Sequence, residues 1–147
     1  MNEPDVLADM LGHPPTTPRS LAVLGLSDDP ARPSHSVSAY MQRHGYRILP
    51  VNPVLAGKTV LGEPVYGSLA ELPFKPSVVN VFRLPKYIPA IVEEMIQLGF
   101  RDLWVQLGIR NPEAAARAES AGLRVVMDRC ILIEHKRFRL GERPPTI

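Results

Sequence analysis

At 147 residues with 45% apolar and 22% charged side chains, the chain suits one globular domain with a core that needs no covalent staples. A net charge of +2, with no block of Lys and Arg, argues against a nucleic-acid-binding protein. One cysteine, Cys130, excludes an intramolecular disulfide and a cysteine-clustered metal site.

In chain order, residues 3–12 can form a short amphipathic helix with Val6, Leu7, Met10 and Leu11 on one side. This acidic start has no long apolar stretch, so it does not read as a secretory signal, and no run is long enough to span a bilayer. The expectation is a soluble cytoplasmic protein with no membrane partner. His13 to Pro18 is a breaker-rich linker, so residues 1–18 read as an extension and 19–147 as the domain. The first strand is Leu21–Leu24, ending at Gly25. A helix follows from Pro33 to about His44, with Val37, Tyr40 and Met41 on its apolar face and Gly45 at its end. A second strand, Tyr46–Val51, runs into Asn52-Pro53 and a loop through Gly57-Lys58.

Pro64-Val65-Tyr66 suggests a short third strand, and Ser68 and Glu71 a capping box on one helical turn. The fourth strand, Val78–Phe82, is nearly all apolar, as a strand covered on both faces should be. Pro85 to Leu98 carries Ile88, Ile91, Val92, Met95 and Ile96 at helical spacing and stops at Gly99. Asp102–Gln106 is the fifth strand, Asn111-Pro112 opens a helix that Gly122 closes, and Leu123–Met127 is the sixth strand. A last short element spans Ile131–Phe138. The pattern predicts an α/β fold: a three-layer, Rossmann-like sandwich with a mostly parallel sheet and right-handed crossovers. Ligands in such folds bind beyond the carboxyl ends of the strands, where the strand order reverses. The loops to inspect are therefore Gly25–Ser34, Asn52–Lys58, Phe82–Pro85, Gln106–Asn111 and Asp128–Cys130.

The first loop joins a strand to a helix start, which offers free N–H groups and a positive dipole end to a phosphate. It has one glycine, Gly25, and is not a GxGxxG fingerprint. Ser27 and Ser34 can donate hydroxyls, and Arg32 either adds a charge or is a solvated loop residue. Asp28 and Asp29 would repel phosphate, so they should face solvent or form turns. The second strand ends without the acidic residue that a nicotinamide dinucleotide ribose calls for, although Asn52 can bond a hydroxyl or an adenine edge. Lys58 is either a plain surface charge or a partner for a second phosphate.

Arg83 sits at a strand end with Phe82 and Pro85 beside it as flat apolar surface. Gln106 ends the fifth strand, and Gly108 permits close backbone approach. Catalytic patterns are poor. His13, His35, His44 and His135 are scattered, with His44 expected on the surface. No GxSxG, HExxH or Walker motif occurs, so no catalytic or metal-ligating residue is assigned. Cys130 is either a buried thiol or a thiol near the ligand, where the Arg129 charge would favour its thiolate. Lys136, Arg137, Arg139 and Arg143 read as a solvated tail.

Taken in order, AVLGLS, RPS, LPVNP, GKTVLGEPVY, SLAEL, VNVFR, VQLGIRN and MDRCILIEH resemble the CoA-binding domain family, in its small stand-alone bacterial form, over roughly Ser20 to His135. The family is similar to the CoA-binding half of the succinyl-CoA synthetase α subunit. The resemblance implies coenzyme A as the cofactor, with its phosphates on Gly25, Ser27, Arg32, Pro33 and Ser34. It places Asn52, Pro53 and Lys58 near the adenosine 3′-phosphate, and Phe82 and Arg83 along the pantetheine or diphosphate. The synthetases continue into a domain with a phosphorylatable histidine. This chain has no room for it before Ile147, so the expected function is a non-catalytic CoA or acyl-CoA binding protein. Two alternatives stay open: a thiol-dependent CoA-disulfide or acyl-transfer enzyme using Cys130, and an NAD-responsive regulatory module.

Overall fold

The computed structural model describes residues 1–12 and 19–139, so the His13–Pro18 linker and Arg143 lie outside the described residues. The elements run α1 (Pro4–Met10), β1 (Arg19–Leu24), α2 (Pro33–Arg43), β2 (Tyr46–Val51), β3 (Thr59–Val60), β4 (Glu63–Pro64), β5 (Val78–Val81), α3 (Ile88–Leu98), β6 (Asp102–Val105), α4 (Pro112–Ser120), β7 (Arg124–Met127) and α5 (Ile131–Arg139). Five strands form one parallel sheet in the order β2-β1-β5-β6-β7.

Strand side chains alternate between faces, and two cores result. Leu21 and Val23 point with Val78 and Trp104 toward α1, α2 and α5. Ala22 and Leu24 point with Val79 and Leu103 toward α3 and α4. The sheet is therefore the middle of three layers, and all four residues of β5 are buried, as its apolar run predicts. No described helix is long and apolar enough to cross a membrane.

Several local expectations are corrected. The third strand is not part of the main sheet. Glu63–Pro64 pairs with Thr59–Val60 in a two-residue antiparallel hairpin, and Tyr66 makes a single bridge to Val51. Ser68 does not cap the Leu69–Glu71 turn through the backbone; its hydroxyl donates to the Glu71 carboxylate at 3.3 Å. The long helix divides into a 3-10 turn, Pro85–Tyr87, and α3, because Pro89 restarts the helix at its second position. His44 is half-exposed at the C-cap of α2, as its place at a helix end implies, and it packs against two aromatic rings. Its ring lies 4.3 Å from that of Tyr40 and 5.1 Å from that of His135, whose Nδ1 is 2.8 Å from the Tyr40 hydroxyl. Burial, then the charges of Arg139, Arg43 and Lys136, hold the His44 pKa below its usual value.

The N-terminal segment is built into the domain. Leu7, Met10 and Leu11 are buried, and the Tyr46 hydroxyl donates to the Leu11 carbonyl. Asn2 lies along the β7 edge: its N–H donates to the Val125 carbonyl at 3.0 Å, and its side chain exchanges bonds with Met127 at 2.7 and 2.9 Å. Those bonds use edge groups that would otherwise invite another strand. Arg124 anchors the same corner, with bidentate bonds of 2.8 and 2.7 Å to buried Asp102 and an ion pair of 2.7 Å to Asp9. The Arg124 guanidinium holds the Asp9 carboxyl below the usual carboxylate range. Because α1 is part of the core, Leu7→Ala should cost about 2–4 kcal/mol in urea unfolding. A cost below about 0.5 kcal/mol, the range of surface substitutions, would show that α1 is not packed there.

Candidate functional site

The strand order reverses between β1 and β5. The chain leaves β1 toward α2 on one face, and leaves β5 toward α3 on the other. The crevice between those two strand ends is where an open parallel sheet takes its ligand. Gly25 stands at its centre. Its φ is +85°, and a Cβ added there would lie 2.5 Å from the Phe82 carbonyl oxygen and 3.0 Å from Arg83 Cδ. Glycine is thus required for both backbone conformation and space.

The loop after Gly25 is ordered by short polar side chains. The buried Ser34 hydroxyl accepts from the Ser27 N–H at 3.0 Å, and the Ser27 hydroxyl accepts from the Asp29 N–H at 3.0 Å. Asp29 accepts from the Ala31 N–H at 2.9 Å, so it forms the turn, and both Asp28 and Asp29 are exposed, as phosphate repulsion requires. The helix then begins at Pro33 with Arg32 as its N-cap and no side-chain cap bond. Pro33 has no N–H and the His35 N–H turns back to the Arg32 carbonyl at 3.0 Å, so of the first turn the Ser34 N–H and the positive end of the helix dipole face the crevice.

That N-terminus opens into a cavity of about 820 Å³. Gly25, Ser27, Arg32, Pro33 and Ser34 line it from the β1 side, Phe82 and Arg83 from β5, and Gln106 from β6. A second crevice of about 210 Å³ on the α3 side shares Gly25 and Arg83 with the first and adds Pro53, Ser68 and Tyr87. Arg83 therefore borders both spaces, with its guanidinium 4.2 Å from the centre of the Tyr87 ring. A cation held over an aromatic face keeps its charge and is pre-oriented for an anion.

Three expected site residues are not brought to either space. Asn52 is a strut: its amide donates to the Leu26 carbonyl at 3.1 Å and accepts from the Val54 N–H at 3.0 Å. Lys58 is exposed on the neighbouring loop. Gly108 has φ +85° with nothing within 4 Å of an added Cβ, and its N–H donates to Asp128 at 2.7 Å, so a turn explains it rather than close approach. Conversely, Leu84, Leu107, Ile109, Cys130 and Ile133 line the large cavity, and of these only Cys130 drew attention in the sequence. Single apolar residues in loops carry no periodic signal.

Cys130 is half-buried and directly precedes α5. The Arg129 beside it is 3.7 Å from buried Glu134, which also pairs with Arg137 at 3.2 Å. The Arg129 charge is thus balanced locally instead of being reserved for the thiol. Behind the cavity, Gln106 Oε1 accepts from Asn80 at 3.0 Å and from the Ile131 N–H at 3.1 Å, which ties β5, β6 and α5 together. Among the described residues, no three His, Cys, Asp or Glu side chains gather to hold a metal ion.

The close approach at Gly25 separates it from the other left-handed glycines. Gly25→Ala should lose about 2–4 kcal/mol of stability, against about 1 kcal/mol for Gly108→Ala, where only backbone strain applies. Equal losses in urea unfolding would show that the Phe82 contact is not restrictive.

Comparison with known proteins agrees with this geometry. The model of the CoA binding domain matches residues 19–136. The uncharacterized protein YneT of Bacillus subtilis is 40% identical over 117 residues, covering 80% of this chain and 85% of its own. A solved Thermus thermophilus protein, cell-free ID.343, superimposes with a TM-score of 0.84 at 38% identity, covering 92% of this chain and 98% of that one. A hypothetical protein from Pyrococcus horikoshii OT3 gives 0.82 at 34% identity, covering 92% and 91%. With most of its length matched, sheet and switch-point loop included, this chain belongs to the CoA binding domain family.

Proposed function

We propose that the protein binds coenzyme A across the β1/β5 switch point, as a binding module without catalysis of its own. The observation that carries this is the uncapped N-terminus of α2 opening, with Arg32 and Arg83, onto the cradle at Gly25. A diphosphate there meets the Ser34 N–H and the dipole end of α2, the Ser27 hydroxyl and two guanidinium groups. The adenosine lies toward the smaller crevice beside Pro53 and Tyr87, and the pantetheine runs along the larger cavity past Phe82 and Gln106. Lys58, on the loop that follows Pro53, is the cation within the 3′-phosphate neighbourhood. Asn52 shapes this end indirectly, by fixing the Leu26 carbonyl at the root of the phosphate loop. The described residues contain no membrane-spanning helix, and the proposed partner is a small molecule.

A second reading, a thiol-dependent enzyme acting on CoA disulfides or acyl groups, is favoured by one observation: Cys130 lines the same cavity. Under the binding reading, Cys130→Ser leaves CoA affinity intact and no thiol-dependent turnover of CoA disulfide is found in the wild type.

Calorimetric titration tests the reading. Arg32→Ala and Arg83→Ala should each weaken CoA binding about tenfold, the value of one lost charge-assisted bond. Lys58→Ala should weaken CoA several-fold yet leave 3′-dephospho-CoA unchanged. Binding of NAD, with none of CoA, would overturn the assignment.

A further inference from the structure

The large cavity is lined by polar and by apolar side chains. The sheet order lays its lining loops side by side, from β1 through β5 and β6 to β7. Ser27, Arg32 and Ser34 follow β1, Leu84 follows β5, Leu107 and Ile109 follow β6, and Ile133 stands in α5 after β7. The loops after β1 and β6 stand two strand spacings apart, roughly 10 Å, and α5 packs back against α2 through Tyr40 and His135. Within this lining Leu84, Leu107 and Ile133 are 61%, 59% and 41% exposed. Single exposed apolar residues need no explanation, but three on separate segments that line one cavity form a patch of the kind that marks a binding surface.

We infer that this apolar patch receives the acyl chain of a CoA thioester, so that the ligand class is medium-chain acyl-CoA rather than free CoA. The inference rests on the CoA reading above. With the diphosphate fixed at the β1 loop, the extended pantetheine arm crosses the ends of β5 and β6. That brings the thioester past the end of β6, where Leu107 and Ile109, with Ile133 of α5, cover an acyl chain. Ser27 and Arg32 line the cavity after β1, Arg83 and Gln106 line its middle, and Leu107 and Ile109 follow Gln106, where a chain emerges. A thiol alone would leave that surface in water.

The test is calorimetry on the full chain with CoA, acetyl-CoA and octanoyl-CoA, each below its micellar concentration, alongside sedimentation velocity without ligand. A fully buried methylene is worth about fourfold in affinity, and an open groove recovers part of that, so octanoyl-CoA should bind at least about tenfold tighter than acetyl-CoA. In Leu107→Ser combined with Ile133→Ser, both at exposed positions, that ratio should fall to near one. CoA binding with no chain-length preference would overturn this inference while leaving the CoA reading intact. A preference that survives the double substitution would also overturn it, as would a ligand-free dimer with a flat ratio, because a second copy would then cover the patch. Failure of all three ligands to bind would defeat the CoA reading and this inference together.

Discussion

The structure depends on the close approach of two parallel strand ends at Gly25. β1 and β5 are hydrogen-bonded neighbours, and the Phe82 N–H donates to the Leu24 carbonyl at 2.9 Å, one residue before the glycine. With no Cβ at Gly25, the chain turns left-handed over the Phe82 carbonyl and leaves toward α2, while β5 leaves toward α3. The crevice forms because the two connections diverge from one point. Any larger residue at position 25 pushes on the backbone of Phe82 and on Arg83, the side chain that borders both spaces. Steric need and ligand access are thus set by the same atoms.

The second level is a set of short polar tethers that hold the loops around that point. Ser34 fixes Ser27, Ser27 fixes Asp29 and Asp29 fixes Ala31, so the loop from Gly25 to Ser34 is preorganised. Asn52 ties the β2 loop to the carbonyl of Leu26, and Gln106 ties β6 to Asn80 and to the start of α5. Ser27, Ser34 and Gln106 line the cavity as well as tethering its loops, whereas Asn52 tethers from outside it.

Most of the layered fold was legible in the sequence, because burial on both faces leaves continuous apolar runs such as Val78–Val81 and a helical stripe such as Ile88, Val92 and Met95. Gly99 marked its helix end correctly, with φ +78° and the Phe100 N–H donating to the Met95 carbonyl. What was not legible depends on contacts between distant residues. The pairing of Asn2 with Val125 and Met127 spans more than 120 positions, and the β3–β4 hairpin is too short for any periodicity. His44 packs against the rings of Tyr40 and His135, one of them 91 positions away. Of the cavity lining, Gly25, Ser27, Arg32, Ser34, Phe82 and Arg83 were legible because strand-to-loop junctions follow from the strands themselves. Leu84, Leu107 and Ile133 escaped because their significance is spatial, not local.

The account's central claim is that coenzyme A lies over the β1/β5 divergence, with its diphosphate on the N-terminus of α2. Backbone amide NMR during a CoA titration tests this directly, since it reports position as well as binding. The account predicts saturable shifts concentrated at Gly25, Ser27, Arg32, Ser34 and Arg83, with little change at the opposite edge of the sheet. Saturable shifts confined to other surfaces, or none at millimolar CoA, would contradict it.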